Sequence, residues 1–410
     1  KLVQLGVPLW LATLMQMSSR CNDRPRGSHA FGRLLVIVAI ACITPWNARI
    51  GYPHNFAARV LKPANPAVVL TSQIKQSATV GELLGHLEAN VDILNSIHLS
   101  ATFTALTKMA KFKGGLHRLP GLQRKLGFIS ECTLAILPTC EGRQLANILW
   151  SLARLDYNPG KAVMSAIVEV AEAKLVSFNS QALSNSMWAF AKLDYHPGDA
   201  FLRAMAAEIF AQAPSFNAQD LSTSIWALAK LGYNPGDQFL KEIVKEMLEK
   251  LKSFNSQDLS NSIWALAKLE YNPGDTLLSA MVTQVKAKLP SFKCQELSTS
   301  IWALAKLDYN AGDKFLSAWV EQAKSKLSRF NSQELSNSIW ALAKLDCNPG
   351  DTFLSAWEKQ AKRFLPKSEY NTGDMFTPEE CSKSIWAFEK LGVKSGELVF
   401  STVPDVAPSD

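Results

Sequence analysis

Phe254-Asn-Ser-Gln-Asp-Leu-Ser-Asn-Ser-Ile-Trp-Ala-Leu-Ala-Lys-Leu-Glu-Tyr-Asn-Pro-Gly-Asp275 returns, with few changes, as Phe330 to Asp351. Its tryptophan marks the period. Trp188, Trp226, Trp264, Trp302 and Trp340 stand 38 residues apart, and Trp150 and Trp386 extend the series by one unit at either end. A period this long signals a repeated structural unit, so function has to be read from an array and not from a single site.

Each unit spells out two helices. Asn331 stands three residues before Glu334 and just ahead of an apolar-periodic stretch, the arrangement of a capping box. Thr377-Pro378-Glu379-Glu380 makes the same start in other residues, with proline at a position where a missing N–H costs nothing. Asn348-Pro349-Gly350 predicts the stop, because proline disfavours helical geometry in the residue before it and glycine tolerates a left-handed turn. Asp351 is then expected to cap a second helix, along which Phe353, Leu354, Trp357, Ala361 and Phe364 recur at helical spacing.

The two helices differ in polarity. After Asp237, the residues Lys241, Glu242, Lys245, Glu246, Glu249 and Lys250 surround a stripe of Leu240, Val244, Met247 and Leu251, which predicts an outer helix with a solvated face. The tryptophan helix sets Leu221, Ile225, Leu228 and Leu231 on one side and carries little charge, which predicts an inner helix covered by neighbours. A single helix pair has nothing to bury these leucines against, and stacking supplies the missing surface. The expected fold is therefore all-α, an α-solenoid of tandem 38-residue helix-turn-helix repeats with one continuous core.

The inner helix also has an ordered polar face. At 100° per residue, Gln219, Thr223, Trp226 and Lys230 fall within about 60° of one another, opposite the leucines. The stripe recurs as Gln181, Asn185, Trp188, Lys192; as Gln257, Asn261, Trp264, Lys268; as Gln295, Thr299, Trp302, Lys306; and as Gln333, Asn337, Trp340, Lys344. Stacked inner helices would align these as columns of amide, Asn or Thr, aromatic ring and ammonium. That set can hold a single nucleic-acid strand, with base edges at the amides and hydroxyls and phosphates at the lysines. Each column also has a plainer reading: tryptophans as inter-repeat packing, glutamines completing the helix start, lysines complementing the helix dipole. The Asn/Thr column is the most specific signal, since it alternates between two hydrogen-bonding types while its surroundings stay fixed.

The run from Gln219 to Asp237, Gln-Asp-Leu-Ser-Thr-Ser-Ile-Trp-Ala-Leu-Ala-Lys-Leu-Gly-Tyr-Asn-Pro-Gly-Asp, resembles the octotricopeptide repeat. The resemblance covers residues 137–394. A degenerate unit from Leu99, with Thr104 in the tryptophan position, extends it. It implies a paired-helix protein that binds organellar RNA sequence-specifically and acts in maturation, stabilisation or translation of chloroplast or mitochondrial transcripts, the chloroplast being favoured. The partners it implies are single-stranded organellar RNA and other RNA-processing or translation proteins. Tetratricopeptide and pentatricopeptide arrays have shorter periods. The last unit departs from the pattern, with Glu379 and Lys383 in the Gln and Asn/Thr positions and a stretched spacing from Pro366 to Gly373, and is expected to act as a cap.

Residues 1–70 carry Arg20, Arg24, Arg26, Arg33, Arg49 and Arg59 against the single acid Asp23, the composition of an organelle transit segment. The apolar run Leu34–Ile43 is too short to span a bilayer, which takes about 20 residues, and no membrane span is expected. Residues 71–136 read as a degenerate helical-repeat region and 395–410 as a polar tail. The formal net charge of +7 lies mostly before about residue 130, and the basic stretch Lys108–Lys125 suits either the end of a phosphate track or a solvated connector. Seven scattered cysteines form no Cys-x-x-Cys pair, and no histidine recurs with the period. No phosphate loop, nucleophile elbow or dinucleotide fingerprint is present in the sequence. The expectation is a non-enzymatic protein with no cofactor, metal or catalytic residue. The alternative is a scaffold whose groove holds a peptide or a partner helix, since fold alone does not decide function.

Overall fold

In a computed structural model of the chain, the described residues are 65–113, 126–365 and 375–393. Residues 1–64 of the predicted targeting segment, the Leu34–Ile43 run, most of Lys108–Lys125, residues 366–373 and the tail from 395 lie outside them; the last residues assigned to that segment, from Pro66, instead begin a helix with Leu70 buried. All regular structure among the described residues is helical, with no strand.

One set of helices forms the inner row: α1 (Pro66–Gln76), α3 (Ser96–Lys113), α5 (Gly142–Arg154), α7 (Ser180–Lys192), α9 (Ala218–Lys230), α11 (Ser256–Lys268), α13 (Cys294–Lys306), α15 (Ser332–Lys344) and α17 (Pro378–Lys390). Each packs along its length against the next in the series. Between them lie α2 (Val80–Glu88), α4 (Leu126–Ile136), α6 (Lys161–Ala173), α8 (Asp199–Gln212), α10 (Asp237–Lys250), α12 (Asp275–Lys288), α14 (Asp313–Lys326) and α16 (Asp351–Ala361). From α4 onward these touch one another more lightly, as the outer row. The expected α-solenoid is the observed fold. The helix from Ser96 stacks on α5 as an inner helix does, with Thr104 exposed at the tryptophan position.

The helix starts follow the sequence rule. Asn331 Oδ1 accepts from the Glu334 N–H at 2.8 Å while Glu334 Oε2 accepts from the Asn331 N–H at 2.9 Å. Asn217 with Asp220, Asn255 with Asp258 and Thr377 with Glu380 repeat the box.

The stops do not fall where Asn-Pro-Gly placed them. The inner helix α15 ends at Lys344, and Asp346 takes left-handed geometry at φ 53°. The Cys347 N–H then bonds the Leu342 carbonyl at 2.8 Å and the Asp346 N–H bonds the Ala343 carbonyl at 3.1 Å. That is a Schellman ending with aspartate in the position glycine usually holds; Asp156, Asp194, Glu270 and Asp308 repeat it, while Gly232 and Gly392 supply the ordinary residue. Nor does Asp351 cap the second helix. Gly350, at φ 82°, is the cap, positioned by its N–H bond to Asn348 Oδ1 at 2.9 Å, and Asp351 sits in the first turn, where its charge suits the helix dipole.

The core runs unbroken through the stack. Phe178, Phe216, Phe254, Phe292 and Phe330, just before each inner helix, are buried together with Leu259, Ile263 and Leu266 and, from the outer row, Leu240, Ile243 and Met247. Two further tryptophans, Trp319 and Trp357, are fully buried on the outer helices and donate to the inner-helix carbonyls of Leu297 and Leu335 at 3.2 and 3.0 Å. One residue assigned to the solvated face belongs inside: Glu246 is buried, paired with Lys250, whose ammonium also donates to the Pro214 carbonyl at 3.0 Å. The ammonium thus neutralises the buried carboxylate and closes the carbonyls of the preceding short turn.

Candidate nucleic-acid interface

Four positions per inner helix, at spacings of four, three and four residues, define the interface. From Gln257 to Lys268 they span about 16 Å of helix at 1.5 Å per residue. Stacking sets them side by side along a groove of about 930 Å³. Its lining includes Trp150, Asn185, Trp188, Gln219, Thr223, Trp226, Lys230, Gln257, Asn261, Trp264, Lys268, Gln295, Thr299, Trp302, Gln333 and Asn337. Gln181, Lys192, Lys306, Lys344, Trp340 and Trp386 lie outside that lining. Arg154, Lys293 and Lys383 enter it unforeseen.

The polar columns differ in how far the chain itself satisfies them. Capping is done by residues that flank each glutamine, an Asn and an acid around Gln219, Gln257 and Gln333, Asn179 alone before Gln181 and Glu296 alone after Gln295, so all five glutamines stay exposed with no side-chain bond within the described residues. Asn185, Thr223, Asn261, Thr299 and Asn337 are half-buried and likewise make no side-chain hydrogen bond within the described residues. The equivalent residue one unit earlier, Asn147, is instead tied to Ser100 Oγ at 3.2 Å. Five amides and hydroxyls in one column are therefore left open to whatever occupies the groove.

The tryptophans are geared to one another. Trp226 and Trp264 have ring centroids 6.4 Å apart at 38°, and Trp340 and Trp386 repeat this at 6.4 Å and 36°. These are direct ring contacts, with no room for a base between the rings. At these two steps the column packs unit against unit, while Trp150, Trp188, Trp226, Trp264 and Trp302 also line the groove. Arg154 stands 5.7 Å from the Trp150 ring centroid and Lys390 5.6 Å from that of Trp386.

The lysine column is partly neutralised. Lys344 Nζ lies 2.9 Å from Asp308 Oδ1, and Lys390 Nζ lies 2.9 Å from Asp346 Oδ1. Beneath the columns, a ladder the sequence did not announce joins the units. Ser184 Oγ donates to Asp220 Oδ1 and Ser222 Oγ to Asp258 Oδ1, both at 3.0 Å. Burial pushes the Asp258 carboxyl above its usual range, against the lowering effect of its bonds from Asn255 and Ser222 and of Lys288 nearby.

Over its central units the chain resembles a known domain. Residues 158–347 match the family described as Tbc2 translation factor, N-terminal domain. That stretch, a little under half of the 410 residues, holds the five full units with the four columns. No curated protein matches the chain. The likeness accords with a helical-repeat protein and points to translation or RNA-related regulation.

No group of His, Cys, Asp and Glu among the described residues has the geometry to hold a metal ion. Burial pushes the Cys140 and Cys381 thiols up to about 11, far from a reactive thiolate. No helix among the described residues is long and apolar enough to cross a membrane.

Proposed function

We propose that this chain is a non-enzymatic, sequence-selective single-stranded RNA-binding protein of an organelle, chloroplast or mitochondrion, acting in transcript stabilisation, processing or translation. The observation that carries this reading is the column of Asn185, Thr223, Asn261, Thr299 and Asn337, half-buried in one groove and unpartnered within the described residues. Open donors and acceptors at regular intervals suit the edges of splayed bases, which is how single-stranded RNA is read. The exposed glutamines add a second contact per unit, and the lysines and Arg154 supply cations for the backbone. With one base per unit the footprint is about 6–8 nucleotides. The octotricopeptide resemblance and the translation-factor match both support an RNA role, and binding alone suffices to shield a transcript end or keep a leader unpaired. The arginine-rich residues before Pro66 are proposed to direct the chain to the organelle.

The test is a random-RNA selection on the full chain, followed by a salt titration of the winning sequence. Enrichment of a short single-stranded motif whose affinity falls steeply with salt supports the reading, because phosphate contacts release counterions. No enrichment, together with salt-insensitive capture of an apolar peptide, would place the protein among interaction scaffolds.

A further inference from the structure

The lysines that end the inner helices are not equivalent. Lys344 meets Asp308, the left-handed residue 36 positions before it in the preceding unit. Lys390 meets Asp346 in the same way across the stretched linker. The same offset of 36 sets Asp156 before Lys192, Asp194 before Lys230 and Glu270 before Lys306. Before Lys268 it sets Gly232, which has no side chain. At Lys344 and Lys390 that acid closes an ion pair; at Lys192, Lys230 and Lys306 the acid stands at the same offset without a salt bridge within the described residues. Lys268 alone among them has no acid at that offset, and it lines the groove, as Lys230 does.

A second anomaly lies one helix further on. Asn217, Asn255 and Asn331 cap their helices by accepting an N–H bond, but the corresponding residue of α13 is Lys293. An ammonium cannot accept, so only the reciprocal half of the box survives, the Lys293 N–H donating to Glu296 Oε2 at 2.8 Å. Giving up an Asn cap weakens a helix, and a broken local rule with no local compensation is the mark of a functional position. Lys293 is exposed and lines the groove just before the start of α13, whereas Lys268 lines it at the end of α11. Between the two cations lie Asn261 and Thr299.

We infer that Lys268 and Lys293 form a phosphate clamp over the middle of the groove, one ammonium at the end of α11 and one just before α13, so that backbone grip is concentrated around α11 and α13 and not spread evenly over five lysines. The inference rests on the RNA reading of the groove. The ligand is the phosphodiester of a single strand, engaged by compact point charges that ask for no particular base.

Lys268→Gln, Lys293→Asn and Lys344→Gln in the full chain, each titrated with the selected RNA and with random-sequence single-stranded RNA at several salt concentrations, test it. Lys268→Gln and Lys293→Asn should each weaken both RNAs about tenfold and lower the salt slope by about 0.7, while Lys344→Gln stays near the parent. Lys293→Asn should also raise the melting midpoint by restoring the cap, so its loss of affinity cannot come from damaged folding. Equal losses at Lys268 and Lys344, or an unchanged affinity in Lys293→Asn, would overturn the clamp and leave the RNA reading standing. A parent chain with no salt-dependent RNA binding would remove both.

Discussion

Replacing Glu270 with glycine should make the protein more stable, although it deletes a side chain. Glu270 holds the left-handed position after α11 at φ 56°, where Gly232 stands at φ 70° one unit earlier. Both make the same pair of bonds: the Tyr271 N–H reaches the Leu266 carbonyl at 3.0 Å as the Tyr233 N–H reaches that of Leu228 at 3.0 Å. The geometry is therefore fixed by the backbone and does not depend on the side chain. Left-handed geometry costs an L-residue about 1–2 kcal/mol, and the extra freedom of glycine in the unfolded chain costs about 0.4–1 kcal/mol. The difference favours Glu270→Gly by about 0.5–1 kcal/mol. Loss of an exposed acid near Lys306 takes back little at moderate salt. For an array of this size the gain is worth about 1–4 °C in the melting midpoint. Thermal and urea unfolding of the full chain, at two salt concentrations, provide the assay. A midpoint that stays put or falls in both would mean that the glutamate carries no backbone strain, and the argument from φ would fail.

Other changes probe the ladder and the columns. Thr223→Asn should alter the preferred base at a single position of the selected RNA motif; an identical selection profile would remove the Asn/Thr column from base reading. Trp264→Ala leaves a gap in the ring ladder beside Trp226, and because the indole is only half-buried the cost should be about 2–3 kcal/mol, below that of a fully buried aromatic; urea titration checks it. Asp258 has a raised folded pKa, so its contribution is fully present below the ordinary carboxylate range and is lost as pH rises through the raised value. Asp258→Asn should accordingly lose less stability than the parent between the carboxylate range and neutrality, as followed by urea midpoints across that interval.

The helices and their order were legible because the capping residues, the leucine stripe and the 38-residue period all point the same way. The inner-helix endings were not, since Asp346 and its counterparts carry no visible mark of left-handed geometry, whereas Asn-Pro-Gly, beginning two residues on, looks like a stop and instead shapes the entry to the outer helix. Glu246 seemed to belong to a charged face because its neutralising partners, Lys250 and the carbonyls of the previous turn, meet it only in three dimensions. At the site, membership of the columns follows from helical spacing within one helix. The unequal lysines do not, because whether each faces an acid depends on how far one unit is offset from the next. Lys293 in sequence is merely a poor cap.

Trp226 and Trp264, 6.4 Å apart ring to ring, both line the groove. Packed helix axes lie about 8–10 Å apart, and the two indoles close part of that gap. A strand advancing one nucleotide per unit would have to keep step with that helix spacing, whereas stacked bases advance about 3.4 Å. Neighbouring bases would have to be drawn apart to keep register. Spacing alone would then reject duplexes and tightly stacked runs, and a transcript held in this groove would be kept unfolded by the pitch of the protein.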